Sequence, residues 1–188
     1  MSDAAQPTGA EGEFMPESLD FSTLTSADAL DLAVLLEEEC RQRYFEFVDL
    51  MGEVHQDAAA ARFFALMADS EERHGQRLWG RRERSYPDAP SRVNASMLSE
   101  LATPAYDAPT DAMTAEACLR AALAAERLAE TFFRDALGIV GDPETRALFL
   151  ELAEEEVLHQ KMLADRLAGL ASATVARKAG ARETVARD

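Results

Sequence analysis

Two short stretches carry residue types that could do chemistry: Glu71-Glu72-Arg73-His74 and Glu156-Val157-Leu158-His159. Each reads Glu-x-x-His. A helix turns once per about 3.6 residues, so positions three apart share a face, and a carboxylate and an imidazole placed there can grip one cation from the same side. The chain holds three histidines, and two of them lie in these motifs. Carboxylate oxygen and imidazole nitrogen suit iron, with manganese as an alternative. The two cysteines, Cys40 and Cys118, are far apart and form no Cys-x-x-Cys, so neither a thiolate zinc site nor a disulfide framework follows.

The elements that must position these residues are helices. A first helix is predicted from Ser26, a plausible N-cap, to Gly52, which ends it; its stripe runs Leu30, Val34, Glu37, Cys40, Tyr44, Val48, Met51 in steps of three or four. Glu37 interrupts that apolar face. A second helix, from Asp57 to about Arg82, carries Phe63, Met67, Glu71, His74 and Leu78 on one face. A third, from Thr114 to Val140, carries Leu119, Leu123, Glu126, Glu130, Phe133 and Leu137. Gly141-Asp142-Pro143 then stops one helix and starts the next, with Gly as C-cap, Asp as N-cap and Pro at the first helical position. The fourth helix, to about Leu170, carries Leu148, Leu152, Glu156, His159 and Leu163. Between Glu83 and Thr114 four prolines break the pattern, with a short helix expected around Val93 to Leu101. A connection of this length can travel the full height of a helix, so the second and third helices can lie parallel.

The chain repeats. Asp57, Phe64, Ala68, Glu71, His74 and Leu78 match Asp142, Phe149, Ala153, Glu156, His159 and Leu163 at an offset of 85 (156 − 71). Glu37 with Tyr44 matches Glu126 with Phe133 at an offset of 89 (126 − 37). Two helical hairpins joined by a long crossover make an all-α, four-helix bundle. Di-iron carboxylate bundles use one Glu from each of two helices and a Glu-x-x-His from each of the other two. Here that set is Glu37, Glu71 with His74, Glu126, and Glu156 with His159. The alternative for the paired motifs, surface polar pairs on amphipathic helices, leaves their shared register unexplained.

With both motifs in this register, the chain resembles the ferritin-like superfamily, and within it the rubrerythrin-like (erythrin) branch, over about Ser26 to Leu170. Residues 1–25 are expected to be a flexible arm and 171–188 a polar tail. The resemblance implies a dinuclear iron centre that meets dioxygen or hydrogen peroxide, as a ferroxidase or peroxidase in iron and oxidative-stress handling. An iron-storage or encapsulated cargo protein, or an oxygenase acting on an organic substrate, are the alternatives. Full rubrerythrins add a rubredoxin site of paired Cys-x-x-Cys motifs, absent here, so electrons would come from iron itself or an external donor. Many carry a further Glu three residues after the third-helix ligand; here that position is Ala129, and Glu130 stands one step on. We expect Glu71 and Glu156 to bridge, Glu37 and His74 to complete one ion, Glu126 and His159 the other, with Glu130 as a further ligand candidate. Tyr44 is placed to hydrogen-bond a ligand or quench a radical. Such bundles commonly dimerise, so a homodimer is expected, although one chain holds all six ligands.

The bulk properties agree. A net charge of −16 repels nucleic acid and anionic membranes, so neither is an expected partner. The first residues lack the basic start and apolar run of a secretory signal, and no apolar run approaches the ~18 residues of a membrane span. A cytoplasmic, reduced protein is expected.

Overall fold

The computed structural model describes residues 21–94, 97–98 and 109–185. Among these are four long helices and no strand: α1 (Ser26–Asp49), α2 (Ala58–Ser85), α3 (Ala115–Ala136) and α4 (Pro143–Val185). The short helix expected around Val93 to Leu101 and the arm before residue 21 fall largely outside the described residues.

The helix ends explain the turns. The cap of α1 is Thr25, not Ser26: the Thr25 hydroxyl accepts from the Asp28 amide at 3.2 Å, and the Asp28 carboxylate accepts from the Thr25 amide at 2.8 Å. This reciprocal arrangement satisfies two otherwise unpaired amides. Ser26 instead ties α1 to the end of α3, donating to the Ile139 carbonyl at 3.1 Å and accepting from the Gly141 amide at 3.2 Å. Gly52 does not end the first helix. It lies inside a π turn over Leu50–Val54, and the chain reverses at Gln56, whose φ is +52°. Asp57 and Thr114 cap α2 and α3 as their sequence positions suggested. Helix α3 stops at Ala136 rather than Val140, where the Arg146 guanidinium takes the Leu137 and Val140 carbonyls. Helix α4 is continuous to Val185, well past Leu170.

Contacts between helix ends fix the topology. The start of α1 meets the end of α3 through Ser26, so these two are antiparallel. The end of α2 meets the start of α4, where Arg81 holds Asp142, Glu144 and Thr145. The His55 imidazole, before α2, donates to the Met113 carbonyl, before α3, at 2.8 Å. Helices α2 and α3 therefore run in the same direction, as the long crossover allows. Arg77, Arg81 and Arg82, along the second half of α2, thus act as clamps to other helices.

The apolar core falls into two clusters. One holds Leu30, Leu36, Leu78, Phe132, Phe133, Phe149 and Leu152; the other holds Tyr44, Phe47, Met51, Phe64, Met67, Leu119 and Leu163. Along α2 and α4 the chain passes from one cluster to the other across the Glu-x-x-His position, and on α1 and α3 it does so close to Glu37 and Glu126. The carboxylates and imidazoles thus sit in the middle of the bundle with apolar layers on both sides. Met162 lies outside both clusters: it is 43% exposed and lines a surface cavity with Phe63 and Arg166.

Below the site, Arg82 is buried against Asp31, donating at 2.7 and 3.2 Å, and it also takes the Tyr86 and Ala89 carbonyls. It anchors the beginning of the crossover. Removing the carboxylate leaves a buried guanidinium without its counter-ion. Asp31→Ala is therefore expected to lower unfolding stability by about 3–5 kcal/mol in denaturant titrations, far more than an exposed pair such as Lys161–Asp165 contributes.

Candidate metal centre

Each helix contributes to one buried polar cluster: Glu37 from α1, Glu71 and His74 from α2, Glu126 from α3, Glu156 and His159 from α4. Five of the six are no more than 1% exposed, and His159 is 7% exposed. Helix periodicity turns each inward, because each replaces an apolar residue on a buried stripe.

The six form two overlapping groups. Glu37, Glu71, His74 and Glu156 offer ligand atoms within 4.8 Å of one another, and so do Glu71, Glu126, Glu156 and His159. His74 Nδ1 lies 3.4 Å from Glu37 Oε2, 3.2 Å from Glu71 Oε2 and 3.1 Å from Glu156 Oε1. His159 Nδ1 lies 3.2 Å from Glu71 Oε1, 3.2 Å from Glu126 Oε2 and 3.1 Å from Glu156 Oε2. Glu71 and Glu156 each turn one oxygen to each histidine. The two imidazoles stack nearly parallel, their centroids 5.3 Å apart.

Four carboxylates in a dry interior cannot all stay ionised without counter-charge. Either protons or bound cations must supply it. Burial, then the charge of Glu156, pushes Glu37 well up. Burial, then Glu71, does the same to Glu126. Burial also opposes ionisation of Glu71 and Glu156, but the imidazoles, with Glu37 and Glu126 respectively, outweigh it and hold both below the ordinary range. Burial alone would lower the histidines; the surrounding carboxylates instead raise His74 strongly and His159 up to about 12. With no cation at the centre, these directions favour protons on the two imidazoles and on Glu37 and Glu126, and charge on Glu71 and Glu156. Burial, then these same carboxylates, pushes the Cys40 thiol well up, so no thiolate joins the set.

Tyr44 lies at this centre, with its hydroxyl donating to Glu126 Oε1. Glu130 does not. Its carboxylate accepts from Arg134 at 2.9 Å and from Gln160 at 2.8 Å, and it belongs to neither group. The reason is angular: Glu130 is four residues beyond Glu126, while the inward position three residues on is the buried Ala129. Two residues missed by sequence reasoning hold the outer sides of the imidazoles. His74 Nε2 donates to the Glu155 carboxylate at 2.8 Å, and His159 Nε2 is hydrogen-bonded to the Ser70 hydroxyl at 3.0 Å. The repeat contained the signal, since Ser70 and Glu155 stand at the same offset of 85 (155 − 70) as the motifs they precede.

The donor set fits a pair of divalent cations. Glu37 Oε1, Glu71 Oε1, Glu156 Oε1 and His74 Nδ1 are buried without a hydrogen-bond partner, a costly state for a purely structural core. Two divalent ions would balance the four carboxylates. Both outer hydrogen bonds leave Nδ1 as the inward atom, the one free to ligate a metal.

Fold and site together define a class: a ferritin-like four-helix bundle with a carboxylate–histidine cluster at its centre. The Rubrerythrin family model matches residues 28–168, and the chain belongs to that family. Three solved structures show the same fold. A conserved uncharacterised protein from Magnetospirillum magnetotacticum MS-1 is 27% identical, with a TM-score of 0.65 over 78% of this chain and 95% of that one. The dodecameric thioferritin, a bacterioferritin-related protein from Bacteroides fragilis, is 24% identical, with a TM-score of 0.66 over 85% and 92%. A hypothetical protein from Pyrococcus furiosus is 19% identical, with a TM-score of 0.64 over 80% and 93%. No curated protein matches the chain. Among the described residues no helix is long and apolar enough to cross a membrane.

Proposed function

We propose that this chain is a non-haem di-iron oxidoreductase that oxidises Fe(II) with dioxygen or reduces hydrogen peroxide. The observation that carries the reading is the pair of carboxylates, Glu71 and Glu156, each facing both histidines. Glu37 and His74 would hold one ion, Glu126 and His159 the other, with Glu71 and Glu156 between them. When bound, a pair of ferrous ions supplies two electrons, enough to take one peroxide and two protons to two waters.

The chain's own residues prepare that chemistry. The apolar layers exclude bulk water, which strengthens every charge interaction at the centre. His74, His159, Glu37 and Glu126 surrender their protons as cations arrive. The Tyr44 hydroxyl fixes the Glu126 carboxylate. A surface groove of about 300 Å³ between α1 and α2 reaches Glu71; its lining is mixed, with Val34 and Trp79 beside Glu38, Arg41, Glu72 and Gln76.

Stopped-flow mixing of the Fe(II)-loaded protein with peroxide or dioxygen tests the reading. Oxidation at least about tenfold faster than the same iron in buffer, ~1.4 kcal/mol of barrier, is expected. A rate equal to that in buffer contradicts it. Tyr44→Phe removes the hydroxyl from Glu126 without opening space. It should keep both ions and slow single-turnover oxidation about tenfold, the loss of ~1.4 kcal/mol expected for a hydrogen bond to a charged group.

A further inference from the structure

The two halves of the cluster are related by the repeat, yet their outer hydrogen bonds differ in kind. His74 donates from Nε2 to a carboxylate, Glu155. His159 Nε2 pairs instead with a hydroxyl, Ser70. The bonds cross between hairpins: each histidine is held by the residue that precedes the other half's motif glutamate. Position for position, the repeat places Glu155 opposite Ser70.

Their own neighbours sharpen the contrast. Glu155 is fixed by Arg77 at 2.8 Å, which also pairs with Glu151 at 2.7 Å, so the carboxylate is aimed but remains an anionic acceptor. Ser70 receives a further donor, Arg73, at 3.2 Å, which brings positive charge towards the His159 side. A carboxylate that accepts from the far nitrogen of a histidine makes the near nitrogen a stronger ligand, and loss of such a partner typically costs about 10–100-fold in metal affinity. A hydroxyl already polarised by a guanidinium gives much less of this.

We infer that the centre is built to load in order: the Glu37–His74 half takes the first divalent cation, the Glu126–His159 half takes the second and holds it more weakly, and Glu155 and Ser70 are the positioning residues that set the difference. This rests on the dinuclear reading above and goes beyond it. The weaker half is the one that Tyr44 contacts through Glu126. It is therefore the half suited to exchange iron as a substrate, while the His74 half retains its ion.

Two-step binding alone would not establish this, because shared Glu71 and Glu156 make the second ion bind more weakly even at a symmetric centre. The test must say which histidine is occupied first. The full-length protein, metal-free and ¹⁵N-labelled at histidine, is titrated anaerobically with Co(II). The hyperfine-shifted ring N–H signals are followed by NMR, with His159→Gln used to assign the His74 signal. At one equivalent the expected result is His74 occupied over His159 by about tenfold or more. Glu155→Gln should bring that ratio close to one. Ser70→Asp, which supplies a carboxylate on the other side, should do the same by strengthening His159, and it guards against a merely disruptive first variant. Equal occupancy in the wild-type protein, or a ratio unmoved by both variants while two Co(II) still bind at saturation, overturns the ordered loading and leaves the dinuclear reading intact. Saturation below one ion per chain overturns both.

Discussion

Replacing Glu37 and Glu126 together with glutamine is expected to empty the centre while leaving the bundle standing. In the metal-free protein burial and the carboxylate neighbours push both side chains towards the neutral acid. Glutamine matches a neutral carboxylic acid in size and keeps one donor and one acceptor. The melting temperature of the metal-free double variant should therefore stay within a few degrees of the parent. Metal binding asks the opposite of these residues, since each must present a charged oxygen to its ion. Affinity for Co(II) or Mn(II) should fall at least about 100-fold, beyond the range seen when only a ligand's supporting partner is lost, and Fe(II) oxidation should fall with it. Glu71→Gln should behave differently. It leaves imidazolium charge in a dry core without its carboxylate, so the metal-free protein itself should lose about 3–5 kcal/mol. The paired outcome separates a cation site from a structural polar core: in a structural core, all these substitutions would act through stability alone.

Stability should also respond to pH in opposite senses with and without metal. In the metal-free protein the histidines have raised values, so their contribution is fully present below the ordinary 6.5 and is lost as pH climbs towards about 12 for His159. Glu37 and Glu126, also raised, contribute in the same sense: present below the ordinary 4.5, lost as pH rises. Glu71 and Glu156 are depressed, and their contribution is present above 4.5 and lost in acid. The metal-free protein should accordingly be most stable near pH 4.5, lose stability above it as the Glu37 and Glu126 contribution fades, and lose it more steeply above about 6.5, so that it is less stable at pH 8 than at pH 6. Loading two ions displaces up to about four protons, one each from His74, His159, Glu37 and Glu126, so affinity rises steeply with pH. Ligand at about a thousand times its dissociation constant adds ~4 kcal/mol. For a chain of this size that corresponds to a rise of about 8–16 °C in melting temperature. Thermal melts at pH 6 and pH 8, with chelator and with Mn(II), should show a gap that widens as pH rises. Parallel shifts of the two curves would contradict the proton–metal exchange at the cluster.

The repeat made the fold and the six inward residues legible, because a 3.6-residue period and a fixed offset are properties of the sequence itself. Asp57, Thr114 and the Gly141-Asp142-Pro143 stop marked helix ends through local chemistry. Where two caps stand side by side, local chemistry is not enough: Thr25 wins over Ser26 because Asp28 completes its box, while Ser26 is drawn to the end of α3. The π turn around Gly52 depends on where the next helix must start, and no local signal announces it. Glu130 read as a ligand candidate because an i+4 spacing is also helical; only packing shows that the inward slot is Ala129. Glu155, Ser70 and the Arg81 and Arg82 clamps were hidden for one shared reason. Their partners lie on other helices, many residues away, where periodicity carries no information.

Anomalous diffraction from crystals of the protein loaded with Mn(II) tests the central claim most directly. The account predicts two peaks inside the bundle, about 3.5–4 Å apart, one against Nδ1 of His74 and one against Nδ1 of His159, with Glu71 and Glu156 reaching both. A single peak, or metal found only at surface carboxylates with the six side chains arranged as in the metal-free cluster, would contradict it.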